Sequence, residues 1–169
     1  TVMVQIAAQA LGLPVESFSL VGPDTALTPD AGKTSASRQT YVSGRAAEAA
    51  AGALRAAILR HGNWGEDAHL ELDGAAIRAN GGSIDLTRLP ADARGYVLAA
   101  EETYDPPTTP LDADGQGKPY AVYGYGAQMV ELAVDMRLGT VKLIKVTAAH
   151  DVGRAINPMQ VEGQIHGGI

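Results

Sequence analysis

The chain has 169 residues, a formal net charge of −6 and no cysteine. Its acidic balance argues against a nucleic-acid partner, which would require a basic face, and the absence of cysteine excludes disulfides, thiolate metal sites and iron–sulfur clusters held by this chain. No stretch approaches the roughly 18 apolar residues of a membrane-spanning helix, so a membrane span is not expected.

The first third of the chain predicts two helices separated by a short strand and a polar loop. Apolar residues recur at helical spacing over residues 3–11, and Gly12 is typical of a residue that ends a helix. Apolar and polar residues alternate over 18–21, which predicts the strand. An alanine-rich stretch over 37–61 predicts a long helix that Gly62 ends.

Short strand patterns follow in the middle of the chain. Residues 70–77 predict a tight hairpin with the dipeptide Asp73-Gly74 as its turn. Residues 84–86, which come after a glycine-rich turn, predict a third short strand. The alternation over 96–104 predicts one more strand.

The last third of the chain predicts a second hairpin and a final helix. Two well-patterned strands over 127–134 and 140–149 form the hairpin. Asn157 followed by Pro158 is typical of a helix start, with asparagine as the N-cap and proline in the first turn. The order of the elements indicates an α+β fold with two layers, in which helices cover one face of a mainly antiparallel sheet.

The segment 32–41 joins a polar loop to the start of the long helix. A helix N-terminus offers unpaired N–H groups and the positive end of the helix dipole, and it therefore binds phosphate readily. Arg38 and Gln39 add a guanidinium and an amide among small and hydroxyl-bearing residues, a set typical of a phosphate or nucleotide site. The alternative is structural: Ser35 or Ser37 caps the helix, and Arg38 is a solvated charge.

A second polar turn precedes the last predicted helix. His150 and Asp151 are adjacent at the end of a predicted strand, and neighbours on an extended chain point to opposite faces, so we expect turn residues rather than a catalytic pair. Gln164 and His166 lie two positions apart on a helix and do not face each other. The 4 histidines are scattered without metal-ligand spacing, so a metal site held by side chains is not expected.

Four segments of the chain together resemble the molybdopterin-binding large subunit of the xanthine dehydrogenase/aldehyde oxidase family: QIAAQALGLP, PDAGKTSASRQTYVSGRA, YGAQMVELAVD and AAHDVGRAINPMQVEGQIHGG. The resemblance covers nearly all of the chain in the right order, and its most specific parts are TSASRQ and the last segment. It implies that residues 1–169 are a fragment of the second, C-terminal molybdopterin-binding domain, truncated at both ends.

This resemblance implies a cofactor and a set of contacts. The cofactor is molybdopterin cytosine dinucleotide, in which the pterin dithiolene, rather than a protein side chain, holds the molybdenum. The implied contacts to the dinucleotide and the pterin phosphate lie in the loop Thr34–Gln39, at Thr34, Ala36, Ser37, Arg38 and Gln39. In the last helix, Gln164 would hydrogen-bond the pterin.

The resemblance also implies an oxidoreductase that oxidises an aldehyde or an N-heteroaromatic carbon with oxygen from water. The expected partners are the remainder of the large subunit, the small-molecule substrate, and FAD and 2Fe–2S clusters on other domains or subunits. A cytoplasmic location is expected, with the periplasm as the alternative. The general-base glutamate of the family lies in a loop that this chain does not contain, so we expect the chain alone to be inactive. The alternative hypothesis is a non-catalytic nucleotide-binding or assembly module that retains the fold.

Overall fold

The computed structural model describes residues 1–169, which form two compact units, Thr1–Pro106 and Pro107–Ile169. Three α-helices and five antiparallel strands are present, so the predicted α+β class is confirmed. The strands are divided between a three-stranded sheet in the first unit and a two-stranded sheet in the second. No helix has the length and hydropathy needed to cross a bilayer.

Two helices pack against each other in the first unit. Helix α1 spans Val2–Leu11 and contacts α2, which spans Gln39–Gly62. Gly44 of α2 is buried at this contact, and a β-carbon there would lie 2.8 Å from Ile6 Cδ1. The missing side chain at this position therefore lets the two helices approach closely near the start of α2.

Both helices end at a residue in the left-handed conformation. Gly12 follows α1 with φ 81°, and its N–H donates to the Ala8 carbonyl over 2.9 Å, as the sequence predicts. Helix α2 continues through Gly62, and the left-handed residue is Asn63, with φ 52°. The predicted cap is thus displaced by one position. Glycine is needed at position 62 for another reason, since a β-carbon there would lie 2.5 Å from Trp64 Cδ2.

A three-stranded antiparallel sheet completes the first unit. Strands β1 (Glu71–Asp73), β2 (Ala76–Ala79) and β3 (Gly82–Asp85) are hydrogen-bonded in that order. The predicted hairpin is confirmed, but its two-residue turn is Gly74-Ala75 rather than Asp73-Gly74, because Asp73 still pairs with Ala76 at the end of the strands. Gly74 has φ 57° in this turn. The third predicted strand is also present. Helices and sheet share one core, formed by Leu11, Ala51, Ile58, Leu59, Ala68, Leu70, Ile77, Ala79 and Ile84.

Two predicted strands are absent from the first unit. Residues 18–21 follow a short 3-10 helix at Val15–Ser17 and form no strand, and residues 96–104 form none either. Phe18 and Leu98 nevertheless pack against the core. Alternating side chains indicate extended backbone with one inward face, but a strand also needs a hydrogen-bonded neighbour, which neither segment has.

The second unit contains a long hairpin and the last helix. Strand β4 (Tyr125–Asp135) pairs with β5 (Thr140–Asp151), as predicted. Helix α3 spans Pro158–Gly168, and the Asn157 side chain accepts a hydrogen bond from the N–H of Gln160 over 3.1 Å. The predicted asparagine cap with proline in the first turn is therefore confirmed.

Candidate functional site

The loop Thr34–Gln39 leads directly into α2 and has a left-handed backbone at consecutive residues. Ala36 has φ 53° and Ser37 has φ 51°. Neither residue is glycine, and the left-handed conformation costs such residues roughly 1–2 kcal/mol each. Apart from the half-buried Ser35, the side chains of the loop are exposed to solvent. The loop therefore presents its polar groups outward from a backbone conformation that its residues do not prefer.

No side chain caps the N-terminus of α2. Arg38 is the N-cap residue, it makes no side-chain capping hydrogen bond, and the first turn holds no acidic residue. The alternative prediction that Ser35 or Ser37 caps the helix is therefore wrong; Ser37 is left-handed, whereas an N-cap residue is normally extended. The first N–H groups of α2 and the positive end of its dipole are consequently available to an anion.

The side chains around this helix start are hydrogen-bond donors and a cation. Thr34 Oγ1 donates to Gln39 Oε1 over 3.3 Å, which leaves the amide N–H groups of Gln39 for another partner. Arg38 is exposed, and the loop contains no carboxylate. The acidic residue that precedes it in sequence, Asp30, accepts the N–H of Gly32 over 2.8 Å. This set of donors fits a phosphate group, which offers only acceptors and negative charge.

Tyr104 contacts the first two turns of α2, where it pairs with Tyr41 of the helix. The hydroxyl groups of Tyr41 and Tyr104 share a hydrogen bond of 2.7 Å, and the rings meet edge to face with 5.7 Å between centroids. The Arg45 guanidinium lies over the Tyr104 ring, 5.8 Å from its centroid. Sequence reasoning missed Tyr104 because it is 63 residues from Tyr41 and no local pattern connects the two.

The Tyr104 hydroxyl is expected to ionise above the ordinary range of tyrosine. Its hydrogen bond with Tyr41 is the largest cause of the raised pKa, followed by burial and by the charge of Tyr41. The folded chain then keeps a proton that the unfolded chain has lost. This contribution to stability is therefore complete below a pH of about 10 and is lost as the pH rises through the raised pKa of the folded state.

An alkaline titration followed by tyrosinate absorbance tests the raised pKa. The intact chain contains 6 tyrosines. The last of them to ionise should do so at a higher pH than the last tyrosine of the Tyr41→Phe variant. The reason is that the substitution removes both the hydrogen bond and the neighbouring charge. Identical final stages of the two titrations would contradict the assignment.

Gln164, the remaining predicted contact, lies on α3 with an exposed side chain. It belongs to the second unit, whereas the Thr34–Gln39 loop belongs to the first. The structure thus gathers the predicted loop residues at one helix start and places Gln164 on the other unit. His166, two positions further along α3, is also exposed.

His150 and Asp151 are the last two residues of strand β5, and they contact different parts of the chain. The Asp151 carboxylate accepts the N–H of Gly153 over 2.9 Å. His150 lies beside the neighbouring strand, where a β-carbon at Gly126 would be 3.0 Å from its Nδ1. These contacts agree with the interpretation of both as structural residues. No group of three or more histidine, aspartate or glutamate side chains in the chain is arranged to hold a metal ion.

Comparison with known proteins identifies the family of the chain. The molybdopterin cofactor-binding domain family matches residues 1–169. A xanthine dehydrogenase molybdenum-binding subunit of Escherichia coli is 27% identical over 100% of this chain and 23% of its own length. The aldehyde oxidoreductase of Megalodesulfovibrio gigas is 30% identical over 96% of this chain and 16% of its own length. The carbon monoxide dehydrogenase large chain of Afipia carboxidovorans is 29% identical over 100% of this chain and 21% of its own length.

The chain therefore belongs to the molybdopterin cofactor-binding domains of the xanthine dehydrogenase and aldehyde oxidoreductase family, and the resemblance drawn from its motifs is confirmed. Its relatives are oxidoreductases. The chain spans about a fifth of the length of the curated relatives it matches.

Proposed function

We propose that the Thr34–Gln39 loop and the start of α2 bind a phosphate group of the molybdopterin cofactor, within the large subunit of a molybdenum hydroxylase. The observation that carries the proposal is the uncapped, acid-free start of α2 beside Arg38, in a chain that matches a molybdopterin cofactor-binding domain over its whole length. When bound, the cofactor supplies the redox centre at which a substrate carbon is oxidised. The residues of this chain bind that cofactor and orient it.

Each predicted loop residue has a distinct part in this proposal. The Arg38 guanidinium offers a planar fork of donors and a fixed positive charge, which suits phosphate oxygens. Ser37 and Gln39 donate neutral hydrogen bonds, and Thr34 orients the Gln39 amide because its hydroxyl donates to Gln39 Oε1. Ala36 carries only a methyl group, so the ligand approaches the backbone closely at this position. The N–H groups at the start of α2 complete the set of donors.

The form of the cofactor, the role of Gln164 and the reaction of the complete subunit belong to the same proposal. The cofactor is molybdopterin cytosine dinucleotide, and the exposed amide of Gln164 hydrogen-bonds its pterin. The complete subunit oxidises an aldehyde or an N-heteroaromatic carbon with oxygen from water, and its electrons pass to 2Fe–2S clusters and FAD on other domains or subunits. A dehydrogenase and an oxidoreductase among the relatives support this reaction class. The inactivity of the chain alone and its cytoplasmic location stay predictions.

Replacing Arg38 by alanine in the full-length protein is expected to weaken cofactor binding by about 10- to 100-fold. A hydrogen bond to a charged group is worth roughly 1.5–3 kcal/mol, and the substitution removes the guanidinium of the N-cap residue. Molybdenum and cytosine nucleotide released per subunit, measured after dilution and gel filtration, check this expectation.

Arg60→Ala is the matched control, because Arg60 is an exposed arginine in the last turn of the same helix. It should leave both contents unchanged. If Arg38→Ala retains as much molybdenum and nucleotide as Arg60→Ala, Arg38 does not belong to the cofactor site. Equal losses in the two variants would indicate a general effect of charge on the protein and would also contradict the proposal.

A further inference from the structure

We propose that Tyr104 is a positioning residue for the Thr34–Gln39 loop, acting through its hydrogen bond to Tyr41 in the first turn of α2. The inference rests on the proposed function, because it concerns the residue that keeps this helix start in the conformation that binds the cofactor. Tyr104 itself is not among the donors of the loop. Its contribution is to fix the helix turn that carries Arg38 and Gln39.

Local interactions hold the start of α2 only weakly. Ala36 and Ser37 both adopt left-handed backbone conformations, which are unfavourable for residues with a β-carbon. The N-cap Arg38 makes no side-chain capping bond, and no acidic side chain interacts with the dipole in the first turn. The N–H of Arg38 reaches the Ser35 carbonyl only at 3.4 Å. A helix start of this kind frays unless a distant part of the chain supports it.

The support comes from Tyr104. Tyr41 is the third residue of α2, and its hydroxyl lies 2.7 Å from that of Tyr104. One turn further along, Arg45 covers the Tyr104 ring and is itself held by Glu48 over 2.7 Å. Tyr104 therefore contacts two successive turns of the helix, one through its hydroxyl and one through its ring. These contacts fix the rotation of the helix start as well as its distance from residue 104.

The segment around Tyr104 has few other attachments. Residues 97–106 form no backbone hydrogen bonds and no regular secondary structure. Tyr104 is half-buried, whereas the polar residues beside it are exposed: Glu101, Glu102, Thr103 and Asp105. Leu98 packs against the core near the beginning of the segment. Tyr104 is thus the contact that joins the end of this segment to α2.

Hydrogen–deuterium exchange in cofactor-free, full-length protein tests the contact directly. Tyr104→Phe removes the hydroxyl and keeps the ring beneath Arg45. The first N–H bonded within α2 is that of Val42, which donates to the Arg38 carbonyl over 2.9 Å. The amides of residues 42–45 should then exchange about fivefold faster, the change expected when one hydrogen bond no longer opposes local opening. Tyr41→Phe and the double variant should show the same increase and no more, because each variant removes the same bond.

Tyr96→Phe is the matched control. Tyr96 is 54% exposed, lies beneath Arg94 with 5.4 Å from the guanidinium to the ring centroid, and makes no hydrogen bond through its hydroxyl. Its replacement should leave exchange over 42–45 unchanged. Equal exchange in the Tyr104→Phe and Tyr96→Phe variants would overturn the inference.

Cytosine nucleotide retained by the purified holoprotein separates this inference from the function on which it rests. We expect Tyr104→Phe to lower retention by about two- to tenfold, less than Arg38→Ala, because it loosens the site without removing a donor. If Arg38→Ala loses nucleotide and Tyr104→Phe does not, the positioning role is overturned. If exchange rises in Tyr104→Phe but neither variant loses nucleotide, the hydroxyl contact is upheld and the cofactor function of the loop is wrong.

Discussion

Replacing Leu70 by alanine is expected to lower the free energy of unfolding of the first unit by about 3–4 kcal/mol. Leu70 is 1% exposed, and no larger side chain in the chain is as fully buried. It lies in the core that α1, α2 and the three-stranded sheet share. Its removal costs the transfer free energy of the lost methyl groups and leaves a cavity, because packing around such a site relaxes only in part.

Urea denaturation followed by the fluorescence of Trp64 measures this loss. Trp64 is the only tryptophan, and it packs against the same core. Leu72→Ala is the matched control: the residue is two positions away and is 40% exposed. Its replacement should cost about 1 kcal/mol, since less apolar area is returned to water and no closed cavity forms. Similar midpoints for the two variants would show that Leu70 is not at the centre of the core.

Elements with a strong local signal were predictable from the sequence. Gly12 ends α1 in the left-handed conformation, and Asn157 caps α3 before Pro158. The first hairpin also forms around Gly74, with Gly74-Ala75 as its turn, one position later than the predicted dipeptide. In each case the capping or turn residue lies within a few positions of the element, so the local sequence is sufficient to predict it.

Elements that depend on a distant partner were predicted poorly. The alternating residues 18–21 and 96–104 point one face toward the core, as Phe18 and Leu98 show, but no strand lies beside them. Periodicity therefore predicts which side chains are buried more reliably than it predicts which hydrogen bonds the backbone forms.

The candidate site also has features that the local sequence predicts and features that depend on the rest of the structure. The residue types of the Thr34–Gln39 loop predict a phosphate-binding helix start, and the structure shows that helix start without a side-chain cap. The sequence did not predict the left-handed pair that excludes Ser37 as the cap. Nor did it predict Tyr104, which reaches Tyr41 across 63 residues. Local composition thus indicates the chemistry of the site, while the groups that hold it in shape are contributed from elsewhere in the chain.

Replacing Arg55 by alanine is expected to destabilise the first unit by about 3 kcal/mol. The half-buried guanidinium donates to three backbone carbonyls, those of Leu11 at 2.9 Å, Ala68 at 2.7 Å and Glu66 at 3.2 Å. Arg55 therefore donates hydrogen bonds to carbonyl groups both at the end of α1 and in the turn before β1. Leu11 and Ala68 are buried, so their carbonyls cannot fully recover these bonds from water. Gly12 belongs to the same arrangement, because a β-carbon there would lie 2.8 Å from Arg55 Nη1.

Two further variants separate this effect from the loss of charge alone. Arg55→Lys keeps the charge, but a single ammonium group cannot span the carbonyls that the planar guanidinium reaches, so we expect it to cost more than half of the alanine effect. Arg78→Ala breaks an exposed ion pair with Asp73 of 2.7 Å and should cost below about 1 kcal/mol. Chemical denaturation of the three variants, followed by Trp64 fluorescence, gives the comparison. If Arg55→Lys were as stable as the unmodified chain, charge alone would account for the role of Arg55, and the bridging of α1 to the turn before β1 would contribute nothing measurable.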